Sequence, residues 1–289
     1  MWSDLQPFFV LGIALGGVFA MSGVGLVVLY RTTGVLNLAY GGVGAMGALI
    51  SWTMIDKGIS GWIAYPGCIL FCALVSLVYG TLFAPLISGR DSLTKTTATL
   101  GMLVIAIGLM QMIWGRNAHS ITLPTSYWNY QIGEVRISWT QILGVVFPIL
   151  ITYGTVVFLK KSKVGTAMRS IANDREITAM LGVPVRRIES IAWVVSGVLC
   201  GIAALLLANL VSLDIVGLSF LVVPSLAAAL IGQLNKIWVT LAAGFFIGIL
   251  QSSFNTWPSV ADYRGLTPFV LAIGALLVFG AGKNMVART

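Results

Sequence analysis

Few residues in this 289-residue chain have the chemistry of a reactive centre. The sulfur and nitrogen ligands are Cys68, Cys72, Cys200 and a single histidine, His119. Cys68 and Cys72 share a helix face at i, i+4. Nothing nearby completes the four ligands that a structural zinc site uses. All three cysteines lie in apolar runs, where a free thiol behaves as a small hydrophobe. No Ser/His/Asp set can be assembled around His119. Gly280-Ala281-Gly282-Lys283-Asn284 lacks the Gly-x-x-x-x-Gly-Lys-Ser/Thr spacing of a phosphate-binding loop. The expectation is therefore a chain with no catalytic residue, no metal and no cofactor of its own.

The polar chemistry that remains is of two kinds. One is a set of uncharged side chains inside apolar stretches: Asn37, Gln111, Asn209, Gln251 and Asn255. Buried amides of this kind either hydrogen-bond neighbouring helices or face a polar pathway. Around Asn37 the sequence runs Thr32-Thr33-Gly34-Val35-Leu36-Asn37-Leu38-Ala39-Tyr40-Gly41-Gly42-Val43-Gly44. Four glycines and an amide stand where a lipid-facing helix prefers leucine. A loosely wound backbone at depth is tolerated only against protein or a water-filled cavity. The stretch is read as a broken start to the second span. A cavity-lining segment and a packed crossing with Asn37 bonded to a neighbour both remain open.

The other kind is a basic insert, Lys160 to Arg187. It carries Lys160, Lys161, Lys163, Arg169, Arg175, Arg186 and Arg187 against Asp174 and Glu176. Asn173 or Asp174 can N-cap a short helix over Arg175–Leu181, with Glu176 favoured at the positive end of its dipole. Gly182 is placed to end it and Pro184 to prevent its continuation. Ile177, Met180 and Leu181 fall on one face. Upstream, Val164, Met168, Ile171 and Ala172 make a second apolar face, with Arg169 on the polar side. Two short amphipathic helices between two spans suit either a protein groove or a bed of anionic lipid.

The elements that carry these residues follow from composition. The chain is 58% hydrophobic and 9% charged, against roughly 25% charged in soluble domains. Nine apolar stretches can be marked, at 8–30, 35–55, 62–87, 96–114, 139–159, 190–211, 218–231, 237–254 and 266–280. None contains Asp, Glu, Lys or Arg. Since about 20 apolar residues cross a bilayer, about eight or nine transmembrane helices are expected. The stretch 218–231 is short enough to be re-entrant. With 160–187 placed inside, only Lys57, Arg116, Arg136 and Arg264 of the 17 basic residues fall outside. That asymmetry puts the N-terminus outside and the C-terminus inside, and it accounts for the net charge of +8 without nucleic acid. The first apolar run lacks a cleavage site and is read as a retained span.

Several tryptophans, Trp193 and Trp238 among them, stand near span ends, as in an aromatic belt. Gly12/Gly16, Gly197/Gly201 and Gly244/Gly248 have the spacing that lets helix backbones approach closely. They serve packing within the chain, or for one of them a contact between subunits. The loop 115–138, with Tyr127, Trp128 and Tyr130, alternates around Gly133 as a small hairpin does. Because the spans hold no ionisable group, they show no means of carrying protons. Work done on a solute must enter from another subunit.

The insert resembles the cytoplasmic loop of permeases of the branched-chain amino-acid ABC transporter family. The pattern G-x-A-x-R-A-x-A-x-D-x-x-x-A-x-x-x-G-I is matched by Gly165, Ala167, Arg169, Ala172, Asp174, Ala179 and Gly182. Ser170 replaces the usual Ala, and Val183 the usual Ile. Gly34, Asn37, Ala39, Gly41, Thr99-Leu100-Gly101, Gln111, Gly115 and the run from Trp193 to Leu207 also fit. The second span departs from the usual Asn-Phe-Ala-His-Gly-Glu, reading Asn37-Leu38-Ala39-Tyr40-Gly41-Gly42. The turn Ile231–Lys236 departs as well.

The resemblance implies an all-α, polytopic membrane protein with a broken second span and short cytoplasmic coupling helices. It implies one permease domain over 1–289, with a coupling loop at 160–189, in a bacterial inner membrane. Two cytosolic ATPases would bind the ATP, and an external solute-binding protein would deliver amino acids or small amides. A second permease, a paralogue or another copy, would complete the pathway within membrane lipid. The coupling residues would be Arg169, Asp174, Ile177, Ala179, Met180, Leu181 and Gly182. The pathway residues would be Asn37, Tyr40 and Gln111. A self-sufficient small-solute channel is the alternative.

Overall fold

A computed structural model describes residues 2–115, 117, 119–121, 129–132, 135–211, 213–220, 222–254 and 261–286. Among these residues the ordered elements are helices, one hairpin and an isolated bridge between His119 and Leu213. The helices are α1 (Trp2–Thr33), α2 (Tyr40–Asp56), α3 (Gly61–Val78), α4 (Ala84–Leu86), α5 (Ser92–Trp114), α6 (Trp139–Lys161), α7 (Lys163–Asn173), α8 (Arg175–Met180), α9 (Val185–Leu210), α10 (Ile215–Phe220), α11 (Val222–Ile231), α12 (Ile237–Ser253) and α13 (Thr267–Val286). A π turn at Tyr79–Phe83 joins α3 to α4. The expected hairpin forms from β1 (Asn129–Ile132) and β2 (Val135–Ser138), antiparallel, with Ile132 opposite Val135. Tyr127, Trp128 and Gly133 lie outside the described residues.

Among the described residues, five segments are long and apolar enough to cross a membrane: Phe8–Thr33, Gly61–Leu86, Ser92–Trp114, Trp139–Lys161 and Val185–Leu210. The chain is thus a multi-pass membrane protein. Apart from Leu266, the stretch 266–280 falls in α13, of 20 residues, and other apolar stretches form shorter helices. α2 and α12 have 17 residues each, a length of about 25 Å against roughly 30 Å of hydrocarbon. The stretch 218–231 falls across α10 and α11, on either side of residue 221, which lies outside the described residues.

The fold is built around α1, which packs against α6, α9, α11 and α12. Of its apolar window 78% is buried, against 22% for each of the segments Gly61–Leu86, Ser92–Trp114 and Trp139–Lys161. Small residues make this centre possible. A Cβ on Gly16 would lie 2.7 Å from the Phe245 Cα, and one on Gly248 would strike the Gly16 backbone. The Gly12/Gly16 and Gly244/Gly248 stripes therefore face one another. Gly197 and Gly201 sit against the Cys68–Ser76 surface of α3 in the same way. All three glycine stripes pack within the chain.

The three cysteines are free and buried. The Cys200 Sγ donates to the Tyr40 carbonyl at 3.0 Å and the Cys72 Sγ to the Val43 carbonyl at 3.5 Å. They fill the seam of α2, α3 and α9 as small apolar groups. His119 exchanges two backbone hydrogen bonds with Leu213, at 3.1 and 2.8 Å, and its ring lies 3.9 Å from that of Trp52.

Candidate functional site

The insert folds as its sequence dictates. Ser162 caps α7, its hydroxyl accepting from the Gly165 N–H at 2.8 Å. Gly165 lies so close to the Phe158 and Leu159 backbone that a side chain would not fit, so α7 turns back tightly on the end of α6. Met168 and Ile171 are buried against the bundle, while Arg169 faces out. Val164 is half-buried and Ala172 exposed, so the inward stripe is narrower than the sequence pattern suggests.

Asp174 then caps α8. Its Oδ1 accepts from the Glu176 and Ile177 N–H groups, both at 2.9 Å. Two orphan donors of the first turn are satisfied by one carboxylate, in the geometry that a helix dipole favours. Gly182 ends the helix at φ +82°, a conformation that costs glycine nothing. The Gly182 and Val183 N–H groups return to the Ala179 and Thr178 carbonyls at 3.0 and 3.4 Å. Pro184 has a second role beyond stopping α8, because it is the N-cap residue of α9.

This leaves Ile177, Met180 and Leu181 exposed at 57%, 84% and 77%, while Thr178 is buried. Ala179 is exposed beside them. A short helix presents three large apolar side chains outward, although burying them against its own bundle would stabilise it. Asp174 and Ala179–Gly182 thus fall on one small protrusion, whereas Arg169 lies on α7 beside Arg31 at the end of α1. The sequence reading missed the two groups that hold it. One is Thr178, whose hydroxyl donates to the Asp174 carbonyl at 2.6 Å. The other is Arg175, whose Nε meets the Glu189 Oε1 at 2.9 Å and whose Nη2 meets Oε2 at 3.4 Å. Glu189 pushes the Arg175 guanidinium further up from its ordinary value. The i, i+14 spacing of this pair carries no local signal.

The broken second span is seen directly. Residues 35–39 are non-helical and α2 begins at Tyr40. Thr99 on α5 holds the unwound backbone. Its Oγ1 lies 3.0 Å from the Leu38 N and 3.0 Å from the Leu36 carbonyl, accepting from the first and placed to donate to the second. Asn37 is buried, and its Oδ1 has no hydrogen-bond partner among the described residues. The Tyr40 hydroxyl is also buried, with Ser22 beside it. Tyr40 lines a cavity of about 30 Å³ with Ser22, Gly44 and Cys200. That is room for about one water, so the cavity is closed to an amino acid in this conformation.

Gln111 is not brought to this place. Thr99 sits beside Leu36 and Leu38, while the Trp114 Nε1 donates to the Thr53 Oγ1 at 2.7 Å, so α2 and α5 run parallel. The rise from Thr99 to Gln111 is about 18 Å. Asn209 is structural, its Nδ2 donating to the Ile121 carbonyl at 3.2 Å. The Gln251 Oε1 is buried without a hydrogen-bond partner among the described residues, and Asn255 lies outside them. Trp193 does not belong to an interfacial belt. It is 2% exposed and packs on Tyr79, with ring centroids 4.7 Å apart.

Apolar helices gathered on a buried first helix, an unwound stretch inside the bundle and an outward-facing helical knob at one end define a membrane transport subunit. The sequence comparison makes the class specific. Residues 8–278 match the family model described as branched-chain amino acid transport system / permease component, and the chain belongs to that family. It is similar to the high-affinity branched-chain amino acid transport system permease protein BraD of Pseudomonas aeruginosa. The two are 25% identical over 282 residues, covering 92% of this chain and 91% of BraD. It is 22% identical to the corresponding LivH protein of Escherichia coli over 288 residues, covering 94% and 92%. It is 26% identical to the nucleoside ABC transporter permease protein NupC of Lactococcus lactis over 294 residues, covering 92% and 87%. The chain is thus an ABC-type permease component and not an enzyme. Its family implies separate ATPase and solute-binding partners.

Proposed function

We propose that this chain forms the translocation pathway of an importer for branched-chain amino acids or related small amides, with the 160–189 loop as the seat of the ATPases. The observation that carries this reading is the outward stripe of Ile177, Met180 and Leu181 on a helix capped at both ends. Burying side chains of this kind is worth about 1.5–3 kcal/mol each, enough to seat the helix in a groove. The capped ends and the Arg175–Glu189 contact keep it rigid enough to transmit a push. The solute class is supported by the family description and by two of the three relatives above; the nucleoside relative marks how far the same scaffold is adapted.

In this reading the chain is one permease domain with eight or nine crossings, the shorter helices α2 and α12 included. The N-terminus is outside; the loop and the C-terminus are cytoplasmic. Two ATPase subunits bind the ATP, so the permease needs no cofactor. A second permease, a copy or a paralogue, completes the pathway, to which Asn37, Tyr40 and, further along, Gln111 contribute.

The test is Ile177→Asp combined with Met180→Asp. Uptake and transport-stimulated ATP hydrolysis are expected to fall at least tenfold while the chain still reaches the membrane. Normal uptake with normal assembly would remove the coupling assignment. The purified chain alone in liposomes is expected to be inert; solute flux without ATPases would establish a self-sufficient channel instead.

A further inference from the structure

Between the unwound stretch and the knob lies a second cavity, of about 70 Å³, which the transport reading does not use. It is walled by the end of α1, the π turn after α3, the start of α5, α8 and α9. Its charged lining is Lys95, Arg175 and Glu189, and its aromatic lining is Tyr79 and Trp193. Glu189 is committed to Arg175 through both oxygens. Lys95 has no carboxylate partner among the described residues, so the cavity carries one cation in excess.

Two neutral groups here are also unspent. The Trp193 Nε1 and the Tyr79 hydroxyl are buried without a hydrogen-bond partner among the described residues, and the two side chains are 2% and 6% exposed. A buried polar group left unpaired costs about 1–3 kcal/mol. The packing enforces both positions: the indole rests over Gly80, where a Cβ would come within 2.6 Å of it. Neither atom is open to a water-sized group, so the two rings wall the cavity rather than bind within it. An ammonium and a guanidinium can only donate, so a ligand held by Lys95 and Arg175 accepts, and the cation in excess over Glu189 selects a negative one.

We infer that this cavity is a binding site for a compact oxyanion, a carboxylate or a phosphate. Its size admits the anionic group and little more, since ligand pockets for whole drug-sized molecules run to about 300–1,000 Å³. The same chemistry is offered by a small cytosolic anion and by a lipid headgroup, and lipid composition separates the two. The oxyanion shares Arg175 with Glu189, and so reaches the contact that ties α8 to α9. That consequence rests on the coupling reading of the 160–189 loop; binding itself does not.

The experiment uses the full chain in nanodiscs of zwitterionic lipid, titrated with inorganic phosphate or acetate at ionic strength held constant with chloride. Tryptophan fluorescence and the unfolding temperature are read together. A saturable response is expected, weakened about tenfold by Lys95→Gln, the loss of one charge-assisted hydrogen bond, with the fluorescence change lost in Trp193→Phe. Saturation in zwitterionic lipid identifies a soluble anion. A response that appears only when anionic lipid is added, and is lost in Lys95→Gln, identifies the headgroup. No saturable response in either lipid, or one identical in Lys95→Gln, overturns the site. In the assembled transporter, phosphate should alter coupled ATP hydrolysis in the wild type and not in Lys95→Gln. Binding without that effect would retain the site and remove its link to the loop.

Discussion

Arg175 at the start of α8 grips Glu189 on α9 through two parallel contacts, Nε–Oε1 at 2.9 Å and Nη2–Oε2 at 3.4 Å. The knob is thereby fastened to a helix that is largely buried in the bundle. The Arg175 side chain is half exposed, so the pair adds little to global stability, within about 1 kcal/mol. Its role is directional. Glu189→Gln should leave the unfolding temperature within a few degrees of wild type and lower coupled ATP hydrolysis several-fold. Arg175→Lys should behave likewise, because an ammonium cannot reproduce the two-pronged contact. Side-by-side uptake and thermal unfolding assays separate the two effects.

The Asp174 cap is a local device, and its loss should be local. Asp174→Ala removes the acceptor of two N–H groups and should cost about 1 kcal/mol. A helix of six residues is too short to be stable by propensity and depends on its caps. Hydrogen exchange across 175–182 should accelerate while α1 and α9 keep their protection. Asp174→Asn, which preserves a capping oxygen, should retain most of the wild-type protection.

Thr99→Val should be far more damaging than its size suggests. The two side chains are nearly isosteric, but the hydroxyl accepts from the Leu38 N–H in a buried setting and shares its one proton between the Leu36 and Thr96 carbonyls. Leaving the Leu38 N–H unpaired should cost about 1–3 kcal/mol. Thr99→Ser, which keeps the hydroxyl, should recover most of that loss. Unfolding in detergent and uptake should fall together in Thr99→Val if the unwound stretch serves the pathway.

Glycine substitutions should divide by position. Gly16→Ala would put a methyl 2.7 Å from the Phe245 backbone, whereas a Cβ on Gly101 or Gly108 meets nothing within 4 Å. The first should reduce the folded protein recovered from membranes. The other two should leave the isolated chain unchanged or more stable by about 0.5–1 kcal/mol. Recovery of folded chain in detergent distinguishes them.

Much of the site was legible because it is local. Asp174 as cap, Gly182 as stop, the outward Ile177–Met180–Leu181 stripe and the break before Tyr40 follow from spacing and from backbone preferences over a few residues. The groups missed are those whose partners are distant: Thr99 reaches back to residues 36 and 38, Arg175 across to Glu189, and Trp193 to Tyr79. Gln111 is grouped with Asn37 by residue type and by the family resemblance, and the parallel course of α2 and α5 separates them.

The sequence by itself determined that the chain lies in a membrane, that it is built of apolar helices and where the basic insert interrupts them. Each of these depends on composition within a window. Only the tertiary structure decided that α1 is the centre and that α3, α5 and α6 are its periphery, with 78% of one apolar window buried against 22% of the others. In water, hydropathy distinguishes core from surface. In lipid both faces are apolar, so burial is set by which backbones approach closely enough to pack. That depended on Gly12 and Gly16 meeting Gly244 and Gly248, a match that neither stretch reveals alone.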